Sequence, residues 1–154
     1  MDIYRGDRMK KVNRIDQIGQ PRFRIAVHAL VRLAECGCVS SSKAIAEQVN
    51  SHATFLRRVL ATLSHAGIVE AREGREGGYC IKKSVEDISL SEIYMAIKKQ
   101  ECEEAKKKAL DECDAVGLQL DQKLEEIMLV AENHIIDYLK QFTLADIMRD
   151  IQLR

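Results

Sequence analysis

The chain has 154 residues and a formal net charge of zero, with 24 basic and 24 acidic side chains. That length is enough for one domain with a real hydrophobic core. The sequence contains no run of 18 apolar residues, and its charged N-terminus lacks the apolar segment of a secretory signal, which argues against a membrane span and against export. The abundance of Ala, Leu, Ile, Lys and Glu, with a single Pro, favours a mainly helical fold.

The zero net charge hides two halves of opposite sign. Residues 1–83 hold 15 basic and 8 acidic side chains, a balance of +7, and residues 84–154 hold 9 and 16, a balance of −7. A basic half can meet phosphates while an acidic half stays away from them. The division points to a nucleic-acid partner for the first half, with a random scatter of surface charge as the alternative.

The first predicted element, residues 1–21, is a flexible basic arm. The chain as a whole has five cysteines, an odd number in a sequence without an export signal. We therefore predict reduced thiols and a cytoplasmic location. The Cys36-Gly-Cys38 stretch is too short to indicate a metal site and is interpreted as a loop at a helix end.

Three helices are predicted next. The first spans residues 22–37, with apolar side chains at helical spacing and Gly37 as its C-cap. A short helix capped by Ser41 or Ser42 follows, and the third helix ends at Gly67. A short helix, a tight turn and a second helix with exposed arginines form a helix-turn-helix, although two-helix hairpins also occur in unrelated proteins.

The second helix of such a motif is narrow enough to enter the major groove of DNA. Side chains at and near its N-terminus then point at base edges or phosphates, and the arginines one turn further along lie on its exposed side. The predicted contacts of this motif are Ser42, Ser51, His52, Thr54, Arg57 and Arg58.

Residues 68–72, IVEAR, and 78–83, GYCIKK, predict two short strands joined by a glycine-rich, charged turn. A hairpin directly after a recognition helix is a wing, in which glycines allow a sharp turn and a close approach to phosphate. Arg75 at the tip is predicted to reach a minor groove, and Arg72 and Lys82 to contact the backbone. The alternative is an ordinary hairpin with a solvated tip. We take residues 22–83 as the DNA-binding domain.

The acidic half begins with a connecting helix in residues 84–101, opened by a capping box from Ser89 to Glu92. A hydrophilic segment, 102–117, is compatible with a helix or a mobile loop. From Leu120 to Phe142 apolar side chains then recur every three or four residues, which predicts a long amphipathic helix. A cap at Thr143 starts a short final helix. Residues 118–154 are therefore predicted to form the long helix and this final helix.

The long helix has more apolar surface than one small domain can cover. A second copy of the chain packed against it would cover that surface, whereas the alternative is that the helix lies across its own domain. A dimer would place two recognition helices on a near-palindromic DNA site. The predicted dimer interface consists of Leu120, Leu124, Ile127, Ala131, Ile135 and Tyr138.

Four motifs in a fixed order carry a family resemblance. They are I-A-E at 45–47, L-x-x-A-G-I-V at 63–69, G-G-Y at 77–79 and I-S-L-S-E-I at 88–93. The set resembles the Rrf family of bacterial winged-helix regulators, the group that includes IscR, NsrR and CymR. The resemblance implies a fold that is mainly α with a small β wing: a winged helix-turn-helix followed by a long dimerisation helix. It also implies a dimeric transcription factor, usually a repressor, whose DNA affinity responds to a signal.

Two departures from the family pattern concern the wing and the sensor. At the wing tip Glu73 stands where the family commonly has arginine. Many members bind an iron–sulfur cluster through three cysteines after the capping-box helix, but this chain has only two there, Cys102 and Cys113. We therefore predict no cofactor and no metal ligands, with a cluster-sensing repressor as the alternative.

Cys102 and Cys113 suggest a thiol switch, with Cys80 on the wing as a further candidate. The competing interpretation is inert thiols and a response to a partner protein or a small molecule. The sequence lacks a nucleophile–base pair, a phosphate loop and a metal signature, so we predict no enzymatic activity. The predicted function is a homodimeric repressor that binds DNA, and the rival is a winged-helix module that docks proteins.

Overall fold

The computed structural model describes residues 21–108 and 115–152. The predicted arm, apart from Pro21, and Cys113 lie outside the described residues. Six α-helices and one antiparallel pair of strands occupy the described part of the chain, with a short 3-10 turn at Val85–Asp87. The helices and strands are α1 Pro21–Cys36, α2 Ser42–Gln48, α3 Ala53–His65, β1 Val69–Arg72, β2 Gly78–Ile81, α4 Leu90–Lys108, α5 Ala115–Leu139 and α6 Leu144–Gln152.

Helices α1, α2 and α3 pack around one apolar core, as the spacing of their apolar residues predicts. Leu30 of α1, Ile45 of α2 and Leu60 of α3 are almost completely buried in it. Ser41, rather than Ser42, caps α2, because its hydroxyl oxygen accepts a hydrogen bond from the Ala44 N–H at 3.2 Å. These helices confirm the predicted helix-turn-helix.

The predicted hairpin is present, with β1 and β2 slightly shorter than the sequence suggested. Val69 pairs with Ile81 at its base, and Arg72 pairs with Gly78 next to the tip. The turn requires glycine at position 77, since an added Cβ would lie 2.4 Å from the Arg72 carbonyl oxygen. The fold class predicted from the sequence, mainly helical with a small β wing, is confirmed.

The hairpin is fixed to the loop that leads into α2. The backbone N–H of Ser40 donates to the Tyr79 carbonyl at 2.9 Å, and the N–H of Tyr79 donates to the Ser40 carbonyl at 2.8 Å. These two backbone segments approach so closely that a Cβ on Gly78 would lie 2.3 Å from the Ser40 carbonyl oxygen. A displacement of this loop must therefore displace the tip-side end of strand β2.

Helix α4 begins at the predicted cap, where the Glu92 N–H donates to the Ser89 hydroxyl at 3.2 Å. It continues as one helix through residue 102, so its described residues contain no break at the predicted start of the sensor segment. A backbone hydrogen bond ties its first residue to the turn that follows α5: the Leu90 N–H donates to the Phe142 carbonyl at 2.9 Å.

The long amphipathic helix is confirmed as α5, but it ends at Leu139. Placing Phe142 on that helix was wrong, because this residue lies in the turn whose carbonyl contacts α4. The predicted cap at Thr143 is present and reciprocal: Asp146 donates its N–H to the Thr143 hydroxyl and accepts from the Thr143 N–H through its carboxylate.

The prediction of five reduced cysteines is wrong for Cys36 and Cys38, which form a disulfide. Gly37 between them has a φ of +61°, a left-handed conformation that turns the chain and brings the two Cα atoms within 5.2 Å. In the described ranges Cys80 and Cys102 are free thiols.

Candidate nucleic-acid interface

The exposed side of α3 carries Arg57, and the structure gives this arginine a defined orientation. Its Nε donates a hydrogen bond to the Ser42 hydroxyl oxygen at 3.3 Å, across the turn between α2 and α3. Arg57 is exposed and Ser42 is half-buried. The contact engages one of the five guanidinium donors, so the outer N–H groups remain available for a ligand.

The N-terminus of α3 presents polar side chains and unpaired backbone donors. His52 is the N-cap residue but makes no side-chain cap, and both His52 and Thr54 are exposed. Ser51 is half-buried and its N–H donates to the Ala46 carbonyl at 3.0 Å. The first N–H groups of a helix and its dipole favour an anion such as a phosphate.

Arg58 lies in a different environment from Arg57. Although exposed, it lines a small cavity between α3, α1 and α4 together with Arg22 and Gln100. The hydrogen bond from Arg22 to Glu104, at 2.9 Å, is the main reason why the pKa of Glu104 falls to about 2. A hydrogen bond from Gln100 and the charge of Arg58 lower that pKa further. The structure therefore associates Arg58 with an ionic cluster beside α4, not with the Ser42 side of α3.

The hairpin tip carries Arg75, which is exposed and has no hydrogen-bond or ion-pair partner among the described residues. Glu73 and Glu76 are exposed beside it, so the tip itself is slightly acidic. Arg72 is partly neutralised by Glu70, whose carboxylate lies 3.7 Å away. Lys82 is exposed just after β2.

The three candidate sensor cysteines are dispersed. Cys102 is exposed on α4, Cys80 is half-buried on β2 with its sulfur 3.8 Å from the Glu70 carboxylate, and Cys113 lies outside the described residues. Within 21–108 and 115–152 no three His, Cys, Asp or Glu side chains converge as metal ligands.

The predicted dimer-interface residues form one stripe along α5. All six are exposed, and the exposed fraction is 58% for Leu120, 54% for Ile127 and 61% for Tyr138. Lys98 and Tyr94 of α4 contact Glu132 of α5, which attaches another face of this helix to its own chain.

No helix in the described ranges combines the length and the apolar character needed to cross a membrane.

Sequence reasoning missed three connections within this site. The pairing of Ser40 with Tyr79 and the ion pair of Arg22 with Glu104 join residues far apart in the chain, and no local pattern indicates them. The acceptor role of Ser42 toward Arg57 was also missed, although Ser42 itself was among the predicted contacts. The position of Ser42 at the start of α2, beside the turn to α3, was the signal in the sequence that could have indicated this role.

The chain matches the family model Rrf2, described as an iron-dependent transcriptional regulator, over residues 20–150. YwnA of Bacillus subtilis (strain 168), a candidate HTH-type transcriptional regulator, is 31% identical over 130 residues, covering 84% of this chain and 96% of YwnA. Among solved structures, T. potens IscR is 24% identical with a TM-score of 0.58 and covers 85% of each chain. The oxidized form of Staphylococcus aureus CymR is 22% identical with a TM-score of 0.57, covering 83% of this chain and 93% of CymR.

The two structural likenesses support the fold, and the family match covers most of the chain. The resemblance inferred from the four sequence motifs is confirmed. The chain belongs to the Rrf2 family of transcriptional regulators.

Proposed function

We propose that this chain is a cytoplasmic, homodimeric repressor that binds a near-palindromic DNA site through α3 and the hairpin. It regulates transcription by occupying DNA and has no catalytic role. The predicted contacts Ser51, His52, Thr54, Arg57, Arg72, Arg75 and Lys82 serve this function in the proposal. Ser42 positions Arg57, and Arg58 contributes at most a peripheral phosphate contact.

One observation carries this proposal: Arg57 and strand β2 of the hairpin are both attached to the short segment of residues 40–42. Ser42 accepts the Arg57 hydrogen bond, while Ser40, two residues earlier, pairs with β2. Two residues span about 7 Å of extended chain. The helix and the wing therefore have a fixed relative position, as two elements that contact adjacent grooves of one duplex need.

The charges of these elements suit a duplex. Arg57 and Arg75 are exposed cations without a carboxylate partner among the described residues, so their charge is available to phosphates. Most acidic residues of the second half lie on α4 and α5, outside the segment that carries α3 and the hairpin. A wing that docks proteins does not need this separation, which favours the DNA-binding function over the rival.

Dimerisation follows from the apolar stripe on α5. A monomer would expose this stripe to water, at a cost of about 25 cal/mol for each Å² of apolar area. A second α5 presents the same stripe, so pairing around a two-fold axis covers both. The two copies of α3 would then contact the two halves of a symmetric site.

The signal that controls this repressor is proposed to act through thiols. Cys102 lies on α4 two residues before Glu104, whose ion pair with Arg22 ties α4 to the start of α1. Modification of Cys102 would therefore occur beside a contact between the acidic half and the DNA-binding half. Cys113 is the second candidate in this proposal, and a small molecule or partner protein is the alternative signal.

The test is a fluorescence anisotropy titration of the purified chain against duplex DNA from upstream of its own gene. Excess unrelated duplex serves as competitor, and a reporter fused to the same region measures repression. We expect specific binding and a rise in reporter expression when the gene is deleted. No preference for the upstream duplex over the competitor would contradict the proposal and favour a protein-docking role.

A further inference from the structure

The disulfide between Cys36 and Cys38 is exposed and lies where α1 ends and the loop to α2 begins. Cys36 is the last residue of α1, and both cysteines are exposed. Gly37 takes the left-handed conformation that lets so short a loop close. An accessible disulfide of this kind belongs to the labile class, in contrast to a buried structural crosslink.

The pair is connected to the hairpin and to α2 through the next few residues. The Ser40 hydroxyl donates to the Cys36 sulfur at 3.6 Å, and the backbone of Ser40 pairs with Tyr79 of the hairpin. Ser41 caps α2, the first helix of the helix-turn-helix. The conformation of this one loop is therefore shared by the disulfide, the hairpin and α2.

A surface cavity gives small molecules access to the pair. It has a volume of about 220 Å³ and is lined by Cys38, Gly37 and Cys80, with apolar side chains from α1 and β2. The Cys80 thiol is free, so the cavity holds a second sulfur besides that of Cys38. The sulfur-bearing part of a low-molecular-weight thiol or disulfide can enter this open cavity and meet Cys38 there.

We propose that Cys36 and Cys38 form a reversible dithiol–disulfide site that exchanges with low-molecular-weight thiols and disulfides. In the oxidation, one cysteine thiolate attacks a small disulfide, RSSR, forming a mixed disulfide and releasing RS⁻. The second cysteine thiolate attacks the protein sulfur of the mixed disulfide, forms the Cys36–Cys38 bond and releases the second RS⁻. The two cysteine protons end on two RSH molecules, so the pair loses two electrons and RSSR gains them.

The oxidised state restrains residues 36–38 and so orders the segment that continues to Ser41. Reduction removes the crosslink, and the loop gains freedom at the point where it contacts the hairpin and caps α2. The reduced chain should therefore hold the hairpin less firmly. The consequence for DNA affinity rests on the proposed function, whereas the exchange chemistry and the change in loop order do not.

Two measurements test the site without DNA. The full chain is equilibrated in mixtures of glutathione and glutathione disulfide, alkylated and digested with trypsin. The mass of the peptide spanning residues 33–43 is then measured by mass spectrometry. We expect an interconversion between a doubly alkylated form and a form that is two hydrogens lighter than the unalkylated dithiol. Hydrogen exchange of residues 37–41 and of Tyr79 should be faster in the reduced form. A peptide that never changes state, or equal exchange in both forms, would overturn the proposal.

A third measurement links the site to DNA. Reduction should weaken binding to the upstream duplex about five-fold or more, the lower range of typical coupling between sites. The double variant Cys36→Ser, Cys38→Ser, made in a chain that already carries Cys102→Ser and Cys113→Ser, should lose this response, and the chain that carries only the latter two changes should keep it. A response that survives in the double variant, or an affinity independent of redox state, would overturn the coupling. Absence of DNA binding in every state would instead contradict the proposed function, while the first two measurements still decide the exchange site.

Discussion

Arg57 on α3 donates a hydrogen bond from its Nε to the hydroxyl of Ser42 on α2, at 3.3 Å. The contact joins the two helices of the helix-turn-helix through a side chain proposed to contact DNA. It holds the guanidinium in one orientation before a ligand arrives, which reduces the entropy lost on binding. Arg57 and Ser42 thus have separable roles, one in contact and one in positioning.

Replacing the contact residue should weaken DNA binding strongly. Arg57→Ala removes an arginine that we place in the groove, and a good arginine–base contact contributes about 1–3 kcal/mol, or roughly 5- to 150-fold in affinity. Anisotropy titrations against the upstream duplex measure the change. Arg149→Ala on α6, which removes another exposed arginine, is the control and should bind as the parent chain does. Equal affinities for Arg57→Ala and the parent would remove Arg57 from the interface.

Replacing the positioning residue should have a smaller effect that depends on Arg57. Ser42→Ala deletes the acceptor, and a hydrogen bond of this kind contributes about 0.5–1.5 kcal/mol, or roughly 2- to 12-fold in affinity. In an Arg57→Ala background the same change should cost little, because the donor is absent. The double-mutant cycle, measured by the same titrations, checks this. Full additivity would show that Ser42 does not act through Arg57.

The close approach of the hairpin to the loop before α2 predicts a sensitive glycine. In Gly78→Ala the new Cβ would lie 2.3 Å from the Ser40 carbonyl oxygen, so the two backbones must separate. We expect a loss of about 1–3 kcal/mol and a fall in Tm of roughly 3–10 °C, measured by circular dichroism. Glu73→Ala, at an exposed position of the same hairpin, is the control. A Tm for Gly78→Ala equal to that of the control would contradict the observed packing.

A charge in the apolar stripe of α5 should separate the proposed dimer. Leu124→Glu would bury a carboxylate at the interface and should shift the mass measured by light scattering from two chains to one. Asn133→Glu is the matched control, since Asn133 is exposed about half a turn around the same helix from Leu124. Both variants should keep helical circular dichroism. If Leu124→Glu remains a dimer, or the parent chain is already a monomer, the proposed interface is wrong.

The ion pair of Arg22 with Glu104 should make a contribution to stability that depends on pH. The pKa of Glu104 is lowered from 4.5 to about 2, chiefly by the hydrogen bond from Arg22, so the folded state favours the ionised carboxylate. The ion pair therefore stabilises the folded state fully above pH 4.5, and this stabilisation is lost as pH falls toward 2. We expect Glu104→Gln to have a lower Tm than the parent at pH 7, with the difference closing below pH 4.5. A difference that does not change with pH would assign the effect to packing.

A histidine on α1 should titrate below its ordinary pKa range. Burial, followed by the charges of Arg24 and Arg32, lowers the pKa of His28 from 6.5. The folded state therefore favours neutral His28, and stability should decrease as pH falls below 6.5, because the unfolded chain takes up a proton first. An NMR titration of the ring protons measures the midpoint. A midpoint above 6.5 would contradict the environment described for this residue.

Local patterns in the sequence account for most of the secondary structure. The apolar spacing around Leu30 and Leu60 predicted two helices of the core, and the serine at position 89 predicted the start of α4, because these signals lie within a few residues of one another. The hairpin was equally local, since its strands are separated only by the glycine-rich turn.

Contacts between distant segments could not be predicted in this way. Nothing near Ser40 in the sequence indicates that it pairs with Tyr79, and the ion pair of Arg22 with Glu104 spans 82 positions. Both arise from packing of the whole fold. The disulfide at Cys36 was missed for another reason: the inference of reduced thiols came from the cysteine count and ignored the turn that Gly37 makes possible.

The most direct test of the central claim is the affinity of the full chain for its upstream duplex as a function of KCl concentration. Arginines on α3 and the hairpin that contact phosphates on both half-sites should release counterions. With six to ten such contacts the affinity should fall about 10³- to 10⁵-fold between 50 and 200 mM salt. Weak binding at 50 mM, or an affinity that does not change with salt, would contradict the proposal that this surface binds a DNA duplex.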